Sequence, residues 1–482
     1  MSALESLQPK KVFHYFEEIC NIPHGSGNVS ALVDYCVDFA EKRNLSYYRD
    51  DANNIVISKP GSKGYENADI VILQGHTDMV CEKEEGLEFD FTKDSIKPYI
   101  DGDLIRAKGT TLGGDNGIAV AMCLAILDDD SISHPPLEVF FTSDEEIGML
   151  GAFAFDCSHL KGHKLINLDS EYEGVLMCSC AGGANANSTI PVERETKEMA
   201  LLEIKISGLK SGHSGVEIDK GRANSNVLMA RILNGLFNVS DFRIVSMSGG
   251  SRETAIASAS EAVIGVDKKD MDHVKKSVEE WNTLLKKEYA SPDPGLTIEA
   301  FEKGEEQVSA LTERCTKMVA EVLISLPDSV IAMSMDMPGL VQTSINFGIL
   351  ELRDEELYFV NTARSSMTSQ KMWILDKVKA IVALAGGKTE ITGNYPGWSY
   401  NPNSVLKDTI LSAYKRLFDK EATVDAVHAG IECGLFADSI ENLDCVSIGP
   451  QMADVHTPNE HFSISSAKRT YELLCEVLKE SK

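Results

Sequence analysis

Short apolar runs, each closed by a polar or acidic residue, recur through the first third of the chain. Ile70–Leu73, within DIVILQGHTD, is continuously apolar, the pattern of a strand buried on both faces of a parallel sheet. LEVFFTSDEE (137–146) and KLINLDSE (164–171) repeat that arrangement. Helical spacing comes between. Val12, Phe13, Phe16 and Ile19 predict an amphipathic helix over 9–21, and a second helix is predicted over 29–43. Ile118–Leu127 is small and apolar on every side, which predicts a helix enclosed within its domain. Short strands are expected near 46–49 and 54–58, and a hairpin-like segment near 104–107.

From about Asn185 the pattern changes. ALLEIKISGL (200–209) alternates as a half-exposed strand, GRANSNVLMARILNGLF reads as a helix, and strand signals at 255–266 precede a charged helix over 270–289. A second round follows: a hairpin in TSINFGILELRDEELYFVNTARSS, a helix in QKMWILDKVKAIVALAGG and a strand in TEITGNY. Strand–helix modules occurring twice predict two related α+β lobes. YPGWSYNPNS (395–404) is a Pro/Gly/Asn-rich linker, after which a helix at 405–418, a strand at 445–448 and a helix at 466–478 are expected. The chain therefore reads as one α/β domain, residues 1–184 and 399–482, interrupted by an inserted domain over 185–398.

Composition narrows the function. With 46 basic and 74 acidic residues the net charge is −28, which disfavours a phosphate backbone as partner and excludes nucleic acid. At 43% hydrophobic and 25% charged the chain is ordinary for a soluble protein, and no apolar run is long enough for a transmembrane helix, so no membrane partner is expected. MSALESLQPKKVFHYFEE has no signal-peptide core, and the expected location is cytoplasmic. The eleven cysteines form no paired framework, which fits reduced thiols. Cys178 and Cys180 are the only close pair, and CxC without a second pair does not make a zinc site.

One acid after a strand is ordinarily a helix cap or turn residue. Here three strands deliver His or carboxylate at their carboxyl ends, where open α/β sheets place ligands. They carry His76 and Asp78, then Glu145 and Glu146, then Asp169. Asp115 lies between them in GGDNG, and His456 lies in HTPNE. Mixed His and carboxylate donors without Cys suit zinc, manganese or cobalt used for hydrolysis. Two ions about 3.5–4 Å apart would need a bridging carboxylate and terminal ligands on each side. Asp115, at a Gly-rich turn into a helix, can reach between strand tips. Asp78 can accept from one ring nitrogen of His76 and fix its tautomer. Of the adjacent Glu145 and Glu146, one can bind metal while the other stays free as a general base.

HTDMV, GGDNG, TSDEEIG, LDSE and HTPNE, in that order, resemble the co-catalytic zinc exopeptidase family that includes carboxypeptidase G-type enzymes, acetylornithine deacetylase and the carnosinases. The resemblance covers nearly the whole chain, GLKSGHSG and GRANSN in the insertion included. It implies a phosphorylase/hydrolase-like metallopeptidase domain whose mixed, mostly parallel sheet lies between helices, interrupted by an α+β lid and dimerisation domain. It further implies that His76 and Asp169 hold one divalent ion and Glu146 and His456 the other, with Asp115 bridging before a cis peptide. Zinc is the first expectation, with cobalt and manganese as alternatives. Asp78 would orient His76, and Glu145 would be the base. His213 in SGHSG matches a lid histidine that steadies the oxyanion, and Arg364 in NTARSS a lid arginine that grips the substrate carboxylate. The implied activity is hydrolysis of small unblocked dipeptides, Xaa-His among them, by a homodimer joined through the lid.

Glu432 in HAGIECG is a candidate, from the residues themselves, for the substrate's free amino group, and Asn346 a further lid candidate. Two other readings stand beside the dipeptidase: an N-acyl amino acid deacylase of the same superfamily, and a catalytically silent peptide or metal binder.

Overall fold

The computed structural model describes residues 3–482, which form two compact units: 3–179, 398–426 and 431–482 make the first, and 180–397 with 427–430 the second. The first is built on an eight-stranded sheet. Its order is Ser46–Arg49, Ile55–Lys59, Leu137–Thr142, Val71–His76, Lys164–Asn167, Asp444–Ser447, Val175–Cys180 and Thr423–Val427. The four central strands run parallel to one another, and the flanking pairs through Ile55–Lys59 and Val175–Cys180 are antiparallel. Val71–His76 and Leu137–Thr142 are buried at every position, as their continuous apolar runs require.

Helices Lys10–Cys20, Ser30–Lys42, Gly114–Leu127, Val405–Phe418 and Ile464–Glu480 join that sheet in one core. Every residue from Asn116 to Leu127 is buried, which is why this helix has no polar face. A second, four-stranded sheet orders Met452–Ala453, His461–Ser463, Leu104–Ala107 and Pro98–Asp101. Phe462, from this sheet, meets Phe16 edge to face at 5.1 Å. Glu460, just before strand His461–Ser463, accepts the Gly113 N–H and so sits beside the Gly-rich turn.

The second unit carries a nine-stranded sheet. Thr297–Leu311, Arg194–Ser207, Ser260–Val266 and Phe242–Gly249 form one half. Val341–Leu352, Glu356–Ser365, Gly182–Pro191 and Lys388–Tyr395 form the other, with Ser329–Met333 alongside Val341–Leu352. Two residue pairs join the halves, Ser248 with Glu351 and Gly249 with Leu350. The two expected lobes are thus halves of one sheet. Strand Thr297–Leu311, absent from the sequence expectation, is exposed along most of its length and charged through its middle, and so shows no sustained apolar alternation. Helix Glu313–Ser325 was likewise not expected; it starts at Thr312, whose hydroxyl caps the Cys315 N–H at 3.3 Å.

The units divide at Ser179 and Gly397. At Ser179 the chain passes between them within strand Val175–Cys180. Ala181 donates its N–H to the carbonyls of Val427 (3.1 Å) and Ala429 (3.0 Å), which draws 427–430 into the second unit.

Candidate active site

His76 is the last residue of its strand, and its side chain is 1% exposed. Its Nδ1 lies 3.0 Å from the Asp78 carbonyl and 3.4 Å from Asp78 Oδ1. That leaves Nε2 free to act as a ligand atom. Nε2 stands 3.1 Å from Asp115 Oδ1 and 3.3 Å from Asp169 Oδ1. A second group repeats the pattern: His456 Nε2 is 3.0 Å from Glu146 Oε1 and 3.3 Å from Asp115 Oδ2. Asp115 thus offers one oxygen to each imidazole.

Those spacings fit cations. Ligand atoms of a tetrahedral site with bonds of about 2.1 Å stand roughly 3.4 Å apart. His76, Asp115 and Glu146 also bring one ligand atom each within 4.8 Å of one another. The site's electrostatics point the same way. Burial opposes a charge on His76, but Asp169 and then Asp115 and Asp78 hold its imidazolium well above the ordinary range. Hydrogen bonds to Asp115 and Glu146 raise His456 to about 10. Both shifts run toward positive charge among the clustered carboxylates, a demand that divalent ions meet.

Backbone geometry places the donors. The peptide between Asp115 and Asn116 is cis. Asn116 Nδ2 donates to the Leu168 carbonyl at 3.0 Å, and its Oδ1 accepts the His76 N–H at 3.2 Å. A Cβ on Gly75 would come within 2.3 Å of that Oδ1, so only glycine admits Asn116 there. Asp78 accepts the N–H groups of Glu145 (2.9 Å) and Glu146 (3.2 Å) and the Ser26 hydroxyl (2.8 Å). Burial first, then Glu146 and Asp115 against the opposing His76, raise Glu145 to about 7.

Glu432 is buried below the strand ends. Its Oε2 accepts from Gln74 at 2.6 Å and Thr142 at 2.9 Å, while Oε1 has no partner. Burial, then the Glu145 charge, raise it to about 8.

His213 and Arg364 belong to the second unit. His213 Nδ1 accepts the N–H groups of Gly215 (3.2 Å) and Val216 (3.3 Å), which assigns the proton of the neutral ring to Nε2. Burial, then the Arg364 charge, lower its pKa. Arg364 donates from Nη1 to Tyr395 Oη at 3.0 Å, and its buried Nε has no partner. Ser344, paired with Arg364 in register, lies 2.7 Å from His428 Nε2. Asn346 is occupied otherwise: its Nδ2 donates to the carbonyls of Glu253 (3.0 Å) and Ala255 (2.9 Å), bracing the loop that bridges His213.

Sequence reasoning passed over Ser26, Asn116, Tyr395 and Glu460. Only Glu460 and Asn116 carried a signal, as members of HTPNE and GGDNG.

A profile of peptidase family M20/M25/M40 matches residues 72–480. The chain is 38% identical, over 482 residues, to the cytosol non-specific dipeptidase of Escherichia coli (strain K12), covering 100% of this chain and 99% of that one. It is similar to the crystal structure of aminoacylhistidine dipeptidase from Vibrio alginolyticus, with 34% identity, a TM-score of 0.95 and coverage of 99% and 98%. Aminopeptidase PepT from Bacillus cereus ATCC 10987, at 14% identity and a TM-score of 0.58 over 98% of this chain and 99% of that one, shares the fold.

Proposed function

The chain belongs to peptidase family M20/M25/M40, and from that membership we propose that it is a metal-dependent dipeptidase acting on unblocked dipeptides, Xaa-His among them. The observation that carries the reading is Asp115 shared between two His–carboxylate groups, with Glu145 beside them and outside both. The full-length likeness to two dipeptidases supports the substrate class.

His76 and Asp169 would hold one divalent ion, Glu146 and His456 the other, and Asp115 both. When bound, the ions polarise the scissile carbonyl and lower the pKa of the attacking water. Zinc is the first candidate on donor chemistry, with cobalt and manganese next. Asp78 fixes His76 through Nδ1 and, by accepting two backbone N–H groups, sets where the Glu145 side chain begins. Glu145 takes the proton of the attacking water and returns it to the leaving amine nitrogen; a carboxyl near neutrality suits both transfers. His213, neutral with Nε2–H, is a donor for the oxyanion, and the Arg364 guanidinium a fork for the terminal carboxylate.

Glu432 favours this reading over an N-acyl amino acid deacylase. Its unpartnered buried oxygen is a place for a substrate ammonium, which an acylated nitrogen cannot supply. A cytoplasmic location accords with eleven free thiols and with the cytosolic relative. Among the described residues no helix is long and apolar enough to cross a membrane. The resemblance also carries a homodimer through the lid, which sedimentation of the purified chain tests.

The deciding experiment is a panel of free dipeptides and their N-acetyl counterparts, assayed on metal-stripped protein with zinc, cobalt or manganese restored. Turnover of the free dipeptides alone supports the proposal. Preference for the acylated set assigns a deacylase, and no turnover above the metal-free control assigns a binder.

A further inference from the structure

Glu460, the last acid of HTPNE, is 3% exposed, and its carboxylate is spent on backbone. Oε2 accepts the N–H groups of Leu112 at 2.8 Å and Gly113 at 3.1 Å, and Oε1 that of Asp115 at 3.1 Å. These three donors belong to the turn that opens helix Gly114–Leu127, whose N-terminus has no side-chain cap of its own. The turn is shaped for the visitor. Gly113 has φ +67°, and a Cβ on Gly114 would lie 3.2 Å from Glu460 Oε1 and 3.0 Å from Phe462.

At its other end Glu460 closes the turn that presents His456. Its N–H donates to the Thr457 carbonyl at 3.0 Å, and Thr457 Oγ1 links the Asp454 carbonyl (2.7 Å) to the Asn459 N–H (3.1 Å). His456 itself stands at φ +63°, a conformation a non-glycine residue keeps only when its surroundings impose it. Its side chain is 47% exposed, so core packing does not impose it.

We infer that Glu460 is a positioning residue that sets the separation of Asp115 and His456, and through it the affinity of the cation site formed by Asp115, Glu146 and His456. The inference rests on the two-ion reading above. The companion site shares Asp115 but leans on this link less. His76 and Asp169 lie at the ends of paired neighbouring strands, and Asn116 ties the Asp115 segment to both through Leu168 and His76.

The test is a titration of metal-stripped wild type and Glu460→Gln with Co²⁺, read by calorimetry and by the visible spectrum of the bound ion. Glutamine keeps the volume but turns an N–H₂ toward N–H donors. The expected result is two ions on the wild type, while the variant binds one about tenfold or more weakly, with an altered spectrum, and loses distinctly less at the other. Equal affinities in the two proteins, or an equal fall at both sites, overturns the inference. A wild type that binds one ion or none refutes the two-ion reading instead, before any variant is compared. If Glu460→Gln does not fold, Glu460→Asp, which keeps the charge and shortens the reach, is read by the same outcomes.

Discussion

Asp78 accepts the backbone N–H of Glu145 at 2.9 Å while standing 3.4 Å from Nδ1 of His76, so one carboxylate aligns a metal-ligand candidate and the backbone of the candidate base. Asp78→Asn keeps the shape and removes the charge that fixes the tautomer. Activity and metal affinity are each expected to fall by about 10–100-fold. Steady-state rates and a metal-binding isotherm on the same preparation check this, and a loss in rate without any loss in affinity would confine Asp78 to the base.

Glu145→Gln removes the proton acceptor and leaves the six donor atoms of the cluster, two of them on Asp115, untouched. Turnover should drop by about 10²–10⁴ with metal content unchanged. Metal analysis of the dialysed variant beside its rate separates loss of the base from loss of the ions.

Chelation should abolish turnover and also lower the melting temperature, because carboxylates gathered around Asp115 repel one another without cations. An ion at 100 times its dissociation constant stabilises the folded state by about 2.7 kcal/mol. Scanning calorimetry of stripped and reloaded protein measures it. Identical melting points would leave the acidic cluster without the charge demand argued for it.

Arg364→Lys replaces a fork by a point charge at a site where Tyr395 already takes one N–H. A fall of about 10–100-fold in kcat/KM, mostly through KM, is expected from a charged hydrogen bond worth about 1.5–3 kcal/mol. A dipeptide amide, lacking the carboxylate, should lose far less between the two proteins; equal losses on acid and amide would remove Arg364 from carboxylate binding.

His428 gives the second unit a pH dependence. Burial, then the Arg364 charge, push its imidazole down to about 4, against about 6.5 in an unfolded chain. Between those values the unfolded chain holds more protons, so stability rises with pH across the window and is fully present above about 6.5. On acidification to pH 4 this single group removes roughly 3 kcal/mol. Asp328, raised by burial to about 6, works in the opposite sense over about pH 4–6. Urea midpoints of wild type and His428→Gln at pH 4.5 and 7 isolate the histidine: the variant should show the smaller rise.

The sheet that carries the donors was legible because buried parallel strands are written as unbroken apolar runs, and His76, Glu146 and Asp169 each lie at the end of one. Asp115 and His456 were legible only as members of motifs, since nothing local tells a Gly-rich turn near residue 115 that a turn near 456 lies against it. Glu460 shows the limit most plainly: an acid in a polar pentapeptide reads as solvated, and its three backbone partners lie 345 to 348 residues away. Strand Thr297–Leu311 was hidden for a different reason. Its partner Arg194–Ser207 supplies its pairing, while the side chains of its middle face water and record no period.

The borrowing of Val427–Gly430 by the second unit has a consequence for synthesis. Chains emerge amino-terminus first and domains tend to fold as they appear, yet Ala181 cannot find its two carbonyl acceptors until residue 429 has left the ribosome. The inserted module therefore waits, nearly complete, for a stitch made more than thirty residues after its own last strand ends at Tyr395. Its closing step during translation is timed by the segment that also brings Glu432 and His456 to the first unit.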